Sequence, residues 1–494
     1  MLSFVDTHSD EINNPFLSLK YCDFTQDTPV EILHTILLGV VKYAWHWTHT
    51  GWKEPQRSRY STRLQATDTK GMSIPAIRAA YITQFANSLI GRQLKILVQT
   101  NAFHVHDLVG AEQYQFIKAT GVLAALLWVP EIFDMEEYVA DLTTCIANVL
   151  DSAAALDPSK IIAKIKYHLL THIPQDVRRF GPIIGVATES YESFNIIFRH
   201  CSILSNHQAP SRDIAHQLAR QETFRHLVSG GWWEEASQNG GASWRQSGVA
   251  LRKYVDGNAF LERIFNLENI SSRKRRSTVL EAIPVNSVTS KPEPRKTYRF
   301  ADTEAATAVV DDRLTITGHP PTSLWYKCKS IVASSGDECR IGNWVFARGF
   351  SRSSGPNTAT IITGRITEIL RLVDGNTSLA VVERFEIAGS LHERFDMPVL
   401  FRPFDEISKV AVSAEHILFN YNAQHDCYTA GCTDGGEKIV REERKDSGKT
   451  QKVIEHSKPN RYVLNTHAFH NAHHLRTIPV LKELIKPRLL YTDR

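Results

Sequence analysis

The stretch from Gly342 to Ile387, GNWVFARGFSRSSGPNTATIITGRITEILRLVDGNTSLAVVERFEI, decides the fold class of the second half of the chain. It contains three runs rich in β-branched and aromatic residues, and turn residues such as Asp374-Gly375-Asn376 separate them. Runs of this composition, bounded by turn signals, are typical of antiparallel strands. We therefore predict a small β-barrel-like domain over residues 321–410.

The first half of the chain has a mostly helical pattern. The segment AEQYQFIKATGVLAALLW at 111–128 repeats its apolar residues at helical spacing, and so do the segments on either side of it. Thr28 and Glu31 form a capping-box pattern around Pro29, which predicts a helix from there to about Trp47. We therefore expect an α+β protein with a mostly helical N-terminal part.

The overall composition excludes several classes of protein. Hydrophobic residues make up 42% of the 494 residues and charged residues 22%, which is ordinary for a globular chain and argues against wholesale disorder. The longest apolar run, from Gly121 to Pro130, is too short to cross a bilayer, so we expect no membrane association. Seven cysteines, an odd number and mostly far apart, favour a reducing compartment over a disulfide framework.

A basic strip lies in the middle of the chain, within a polar segment at 233–320 that we predict to be a partly disordered linker. Residues 271–300 hold eight Lys or Arg and two Glu, whereas the net charge of the whole chain is only +4. A run of four basic residues in such a context is typical of a nuclear-import signal or a phosphate-binding arm, although solvated charge on a linker explains it equally simply. The predicted DNA-binding residues are Arg273, Lys274, Arg275 and Arg276.

The C-terminal segment, residues 411–494, is rich in cysteine and histidine. Thiolate and imidazole at short spacings are the ligands that Zn²⁺ prefers, so this segment predicts a zinc site. The proposed ligands are Cys427, Cys432, His456 and His470. The alternative is a pair of reduced core cysteines with several packed or surface histidines.

Two blocks of the sequence resemble fungal transposase-derived proteins related to the CACTA group. They are NPFLSLKYCDFTQDTPVEILHTILLGVVKY at 14–43 and the block at 160–230, which includes YHLLTHIPQDVRRFGPIIGVATESYESFNIIFRHCSILSNHQAPSRDIA. Residues 323–479 also resemble the C-terminal part of such fungal chains. Members of that broad group are DDE transposases with a ribonuclease-H-like core, in which three carboxylates hold two Mg²⁺ ions that act in phosphodiester chemistry.

The resemblance implies particular site residues in a transposase-like region that spans residues 1–232. Asp27 matches the aspartate just before the helix that carries His34, and Glu192, with Glu189 one turn earlier, matches the acidic position of the late helix. The helical segment at about 74–150 would be an insertion into a remnant of the ribonuclease-H-like core. On this interpretation the catalytic positions are Asp27, Glu189 and Glu192.

The chain departs from the family pattern at its beginning. In the family, the first catalytic aspartate lies on a strand well upstream of the block that begins here near Asn14, and this chain starts only a few residues before it. We therefore expect an N-terminally truncated, catalytically incomplete descendant that binds DNA in the nucleus. Mg²⁺ would be its cofactor only if catalysis survives.

Two other functions stay open at this stage. One is a Mg²⁺-dependent DDE transposase or nuclease that is completed by a missing N-terminal portion. The other is a chromatin or protein-interaction module, because the barrel-like segment is faintly similar to bromo-adjacent homology domains. Assembly into a homo-oligomer or with chromatin proteins is also open. The simplest alternative for Asp27, Glu189 and Glu192 is that acidic residues near helix N-termini stabilise the helix dipole without a metal.

Overall fold

The computed structural model describes most of the chain, namely residues 20–21, 23, 26–193, 195–236, 242–256, 258, 283–284, 296–310, 320–350, 359–373, 377–402, 407–442 and 445–492. A helical N-terminal region is followed by a region of antiparallel sheet. The predicted α+β class is thereby confirmed at this level. The described cysteines are all free thiols.

The helical region is a series of short and medium helices joined by short connections. They are α1 (π-helical, Leu33–Val41), α2 (Lys42–His49), α3 (Glu54–Gln65), α4 (Ala79–Gln84), α5 (Gly91–His104), α6 (Ala111–Leu127), α7 (Met135–Leu156), α8 (Pro158–Ala163), α9 (Ile165–Leu169), α10 (Ile173–Phe180), α11 (Glu189–Ser193), α12 (Asn195–Ile203) and α13 (Pro210–Val228). The first helix begins at Leu33, later than predicted, because the Glu31 carboxylate accepts the N–H groups of Leu33 and His34 at 2.7 and 2.8 Å and so caps this end.

One apolar core runs through the helical region and includes the fully buried Leu37, Leu97 and Phe116. The helix α7 is 22 residues long and is apolar enough to cross a membrane by length and composition alone. Half of its most apolar window is buried inside the protein, where α7 packs against α6. The same pattern is typical of a helix in a protein core.

The predicted remnant of a ribonuclease-H-like core would require strands in the first half of the chain. Between residues 20 and 231, the described residues form helices, turns and loops, and no strand occurs among them. The first strand begins at Trp232. The mixed sheet of such a core is therefore not part of the described helical region.

The sheet region contains the strands and the remaining helices of the chain. The strands are β1 (Trp232–Ala236), β2 (Ala242–Gln246), β3 (Ile283–Pro284), β4 (Thr297–Arg299), β5 (Val309–Val310), β6 (Leu324–Val332), β7 (Glu338–Arg340), β8 (Trp344–Phe350), β9 (Ala359–Leu372), β10 (Ser378–Leu391), β11 (Pro398–Phe401), β12 (Lys409–Ser413), β13 (Ile417–Tyr421), β14 (Ala423–His425), β15 (Thr433–Glu442), β16 (Lys445–Glu455) and β17 (Arg461–Leu464). The helices are α14 (Val249–Asp256), α15 (Cys427–Ala430), α16 (Ala472–Leu475) and α17 (Pro479–Leu484).

Within the described residues the main sheet is open. Its strand order is β13-β8-β9-β10-β11-β17-β14, and the two 14-residue strands β9 and β10 form its centre. Each changes partner along its length: β9 pairs first with β8 and then with β6, and β10 pairs with β12 and then with β11. A register shift between Val381 and Val382 marks a bulge, which favours bending. Within the described residues no sheet closes on itself, so the predicted barrel is not confirmed.

The sheet extends beyond both boundaries predicted for the barrel-like domain. At its N-terminal side, β4 pairs with β6, and the Glu368 carboxylate of β9 accepts the N–H of Glu304 at 2.8 Å. The last described part of the predicted 233–320 linker is therefore part of the sheet. At the C-terminal side, β13, β14 and β17 belong to the same sheet.

Hydrogen bonds, an aromatic stack and an ion pair connect the helical region to the sheet. The side-chain amides of Asn422 and Gln424 donate to the carbonyl oxygen of Asp68 at 2.7 Å each. The Trp128 and Phe469 rings stack with centroids 4.5 Å apart, and buried Asp141 pairs with Arg476. The two regions therefore pack together, with a cleft between α3 and the end of β14.

Candidate metal centre

The turn that follows β14 folds two cysteines back toward each other. His425 ends β14, and the Asp426 carboxylate then accepts an N–H of the first turn of α15, so the short helix begins at Cys427. Gly431 ends this helix with a left-handed conformation (φ +65°), which glycine adopts without strain. The N–H of Cys432 consequently donates to the carbonyl oxygen of Cys427 at 3.1 Å, and both sulfur atoms lie within 3.6 Å of Nδ1 of His425.

A fourth donor comes from the hairpin formed by β15 and β16. His456 follows β16 directly and brings its ring against His425, with centroids 4.5 Å apart. The Cys427 Sγ lies 3.4 Å from the Nδ1 atoms of both histidines, and the Cys432 Sγ lies 3.6 Å from His425 Nδ1. One ligand atom from each of the four residues lies within 4.8 Å of all the others.

These distances fit a tetrahedral zinc site. Zn–N and Zn–S bonds of about 2.0–2.3 Å place the corners of a tetrahedron roughly 3.3–3.8 Å apart. The separations of 3.4 to 3.6 Å between thiol and imidazole atoms fall in this range. Two thiols and two imidazoles supply four ligands, which is the full complement of a structural zinc site and leaves no open position for a substrate.

Neighbouring groups orient the donors from outside the cluster. The N–H of Ser457 donates to the Cys432 sulfur at 3.4 Å, and the Nε2 of His425 lies 3.3 Å from the carbonyl oxygen of Lys458. A contact from the distal ring nitrogen to a backbone carbonyl is the usual way in which the tautomer of a metal-binding histidine is fixed. It leaves Nδ1 of His425 free to bind a cation.

The electrostatics of the cluster favour a cation. Burial, together with the neighbouring Cys432 thiol and Asp426 carboxylate, raises the pKa of Cys427 to about 12. Burial and the neighbouring His425 lower the pKa of His456, so this imidazole is neutral near pH 7 and is ready to bind a metal. A bound divalent ion would supply positive charge and so stabilise the thiolate form of the two cysteines.

Residues 284–482 match a family described as a domain of unknown function, DUF8590. The match covers less than half of the chain, and it includes all four residues of the cluster as well as the main sheet from β4 to β17. No curated protein and no solved structure matches the chain. The cluster is therefore a feature of the DUF8590-like region.

The structure gathers three of the four residues predicted as zinc ligands. His470 lies elsewhere, with its Nε2 3.1 Å from the Asp337 carboxylate, and His425 completes the cluster in its place. The replacement follows from the chain path: His470 comes after β17, whereas His425 ends the strand that leads directly into Cys427. The spacing His425-x-Cys427 is the sequence signal that points to this donor.

The cluster lines a cleft of about 630 Å³ between the helical region and the sheet. On the opposite wall, Arg63 of α3 donates to the Asp107 carboxylate and to the carbonyl oxygen of His104. Arg59 of α3 approaches Asp434 of β15 at 3.4 Å and so links the helix to the hairpin that carries His456. The metal-binding loop is therefore close to the contact between the two regions.

The three acids predicted as catalytic have three separate basic partners. Asp27 pairs with Arg179, Glu189 with Lys95 at 2.5 Å, and Glu192 with His34 at 2.9 Å. In the part of the chain that the structure describes, the Cys/His cluster is the only group of three or more His, Cys, Asp or Glu side chains whose ligand atoms lie close enough together to hold a metal ion. Asp27, Glu189 and Glu192 therefore do not form a common Mg²⁺ site there. The predicted DNA-binding residues Arg273 to Arg276 lie outside the described residues.

Proposed function

We propose that this chain is a transposase-derived nuclear protein that binds DNA, has lost cleavage, and is stabilised by a structural zinc ion in its DUF8590-like region. The observation that carries the zinc part is the set of four donor atoms within 4.8 Å of one another. Four protein ligands saturate the coordination of Zn²⁺, so the ion would serve folding and not catalysis.

The zinc ion would stabilise a particular connection. It would cross-link the turn after β14 to the end of the β15–β16 hairpin, which in sequence are separated by the whole hairpin. That hairpin packs against α3, and Arg59 pairs with Asp434 at the contact. The metal would thus hold the sheet and the helical region in one arrangement.

Contacts between the two resembling blocks support the proposed ancestry. The Glu31 carboxylate accepts the N–H of Thr188 at 3.0 Å, and the N–H of Val30 donates to Asp176 at 2.8 Å. Lys166 donates to the carbonyl oxygen of His34 at 2.7 Å. Blocks that lie more than a hundred residues apart in sequence are thus packed as one unit, as expected of the remnant of an ancestral core. The ribonuclease-H-like origin of that unit and the barrel-like origin of the main sheet belong to this proposal.

The proposed loss of cleavage rests on the ion pairs of the three acids. Two-metal phosphodiester chemistry requires carboxylates that converge on cations about 4 Å apart. Here Arg179 and Lys95 form ion pairs with Asp27 and Glu189, and Nε2 of His34 lies 2.9 Å from the Glu192 carboxylate. A Mg²⁺ ion would have to displace a basic side chain from each acid.

DNA binding and nuclear import are proposed from the basic strip at 271–300. Eight basic residues against two acidic ones give this segment a local charge of +6. Lys and Arg that contact phosphates release condensed counterions, so binding would weaken steeply with salt.

The test is fluorescence anisotropy of a labelled duplex at several KCl concentrations, with zinc counted by mass spectrometry in the same preparation. Neutralising Arg273 to Arg276 should weaken binding and reduce the salt slope by about 0.9 for each lost phosphate contact. A matched variant neutralises four exposed basic residues elsewhere, Arg199, Arg212, Arg220 and Lys253. Salt-independent binding, or an equal loss in both variants, would contradict the proposed DNA-binding site. A preparation that contains zinc but does not bind DNA would leave only the zinc part standing.

A further inference from the structure

Three segments that are distant in sequence place a serine, a histidine and an aspartate in a line. The Ser73 hydroxyl oxygen lies 3.1 Å from Nδ1 of His470, and Nε2 of the same ring lies 3.1 Å from the Asp337 carboxylate. Ser73 is in the loop before α4, Asp337 precedes β7, and His470 precedes α16. The same three residue types, with a serine at one ring nitrogen of the histidine and an aspartate at the other, define the nucleophile, base and orienting acid of serine acyl-transfer sites on unrelated folds.

The aspartate is held in place and ionised. Its side chain is mostly buried, and burial by itself raises the pKa. Hydrogen bonds from His470, Ser335 and Asn471 outweigh this effect and lower the pKa of Asp337 to about 2. The Ser335 hydroxyl donates at 2.7 Å, the Asn471 amide at 2.6 Å and the N–H of Asn420 at 3.3 Å. Asp337 is therefore an oriented anion that faces one nitrogen of the His470 ring.

The serine is presented on a strained backbone. Ser73 has φ +50°, in the left-handed region that residues other than glycine rarely adopt. Two residues earlier, Gly71 lies so close to the Tyr421 carbonyl that an added Cβ would come within 2.3 Å of its oxygen, so the loop is pressed against β13. Ser73 itself is exposed. Strained positions of this kind are concentrated at functional sites, where the surrounding structure holds them.

We propose that Ser73, His470 and Asp337 form a serine acyl-transfer site whose substrates are carboxylic esters that reach the protein surface. This activity is separate from the zinc cluster and from DNA binding. The open position of Ser73 favours an ester at an accessible chain end over one that must be enclosed. In the commonest order Nε2 of the histidine faces the serine, whereas here Nδ1 of His470 faces Ser73 and Nε2 faces Asp337. A neutral imidazole can act in either orientation, because either ring nitrogen can accept a hydrogen bond while the other donates one.

The reaction runs in two balanced steps. The Ser73 oxygen bonds to the ester carbonyl carbon as its proton moves to Nδ1 of His470, and the resulting positive ring is stabilised by Asp337 through Nε2. Collapse breaks the bond to the alcohol oxygen, which takes the proton from Nδ1 as the alcohol leaves. Water then attacks the acyl-serine, gives one proton to Nδ1 and releases the carboxylic acid, and that proton returns to Ser73.

A fluorophosphonate probe tests the nucleophile directly. Ser73 would bond to phosphorus and fluoride would leave, while His470 takes the proton. We expect the full-length protein to be labelled at the peptide containing Ser73. Ser73→Ala should abolish the labelling, and Ser88→Ala, at another exposed serine, should leave it unchanged. Labelling no faster than that of heat-denatured protein, or undiminished in Ser73→Ala, would overturn the proposal.

His470→Gln separates a catalytic role from a structural one. Glutamine can still hydrogen-bond to both neighbours but cannot take a proton, so we expect labelling to slow by about 10²–10⁴-fold with an unchanged melting temperature. Asp337 acts as a positioning residue, and Asp337→Asn should move the pH midpoint of labelling as well as its rate. His473 and His474 also face this group and are kept intact. A Gln variant that is labelled at the wild-type rate would show that the three residues only fasten the loop to the sheet.

Discussion

The Cys/His cluster and the three acids of the helical region differ in what their side chains face. In the cluster the donor atoms of His425, Cys427, Cys432 and His456 all lie within 4.8 Å of one another. In the helical region each acid faces a basic side chain instead, as Glu189 faces Lys95. Donors that converge on a common point gain from a cation, whereas acids that are already paired do not.

The pKa values express the same difference in energetic terms. Burial and neighbouring acidic groups raise the pKa of Cys427 to about 12, so its thiolate is unfavourable until a metal ion supplies positive charge. Exposed ion pairs such as Asp27 with Arg179 contribute only about 0–1 kcal/mol, because water screens them. Substitutions in the two regions should therefore differ greatly in their consequences.

The largest effect is expected from removing both thiols, in Cys427→Ser with Cys432→Ser. A structural zinc ion present at about a thousand times its Kd stabilises the folded state by about 4 kcal/mol, and this contribution would be lost. Zinc content by mass spectrometry and urea unfolding measure it. Cys201→Ser, at a buried thiol outside the cluster, serves as the control. An unchanged zinc content in the double variant would show that the cluster does not bind the zinc ion.

The next largest effect distinguishes His425, which lies in the cluster, from His470, which the sequence predicted as the fourth ligand. His425→Ala should weaken zinc binding by at least about 100-fold, because a three-ligand site loses the closed coordination of a structural centre. His470→Ala should retain full zinc content, since its ring pairs with Asp337. Competition with a chromogenic chelator gives both affinities. The reverse order would restore the ligand set predicted from the sequence.

The sequence predicts the features of this molecule that depend on neighbouring residues. The runs that became β8, β9 and β10 are rich in β-branched residues, so their strand character is local and visible in the composition. The pairing of Cys427 with Cys432 is also local, because the turn at Gly431 alone brings them together. Such features need no knowledge of the rest of the chain.

The features that sequence analysis missed depend on the path of the whole chain. His425, which was not among the predicted ligands, meets the predicted ligand His456 only because the β15–β16 hairpin returns to the end of β14. The short strand β4 joins the sheet by pairing with β6, and its three residues carry no strand pattern of their own. In the same way, Ser73 approaches His470 only because the helical region docks on the sheet.

Zinc uptake should also depend on pH, and the direction follows from the thiols. Cys427 has a raised pKa and stays protonated through the neutral range, so metal binding must release its proton. Affinity should therefore rise with pH, by up to about tenfold per unit for each thiol that ionises on binding. Calorimetry in buffers of different ionisation enthalpy counts the protons released. Binding without proton release would mean that the thiols are not ligands.

The smallest effect is expected from substitutions of the three acids in the helical region. Asp27→Asn, Glu189→Gln and Glu192→Gln each remove a carboxylate from a partly exposed contact with a basic side chain, so each should cost no more than about 1 kcal/mol of unfolding free energy. Because the three acids have separate basic partners, Mg²⁺ should raise the melting temperature of neither the wild type nor these variants. Thermal unfolding with and without Mg²⁺ measures both expectations. A rise of several degrees with Mg²⁺ in the wild type, lost in Glu192→Gln, would mean that the acids can leave their basic partners and gather around a cation. The two regions would then differ only in which ion they prefer.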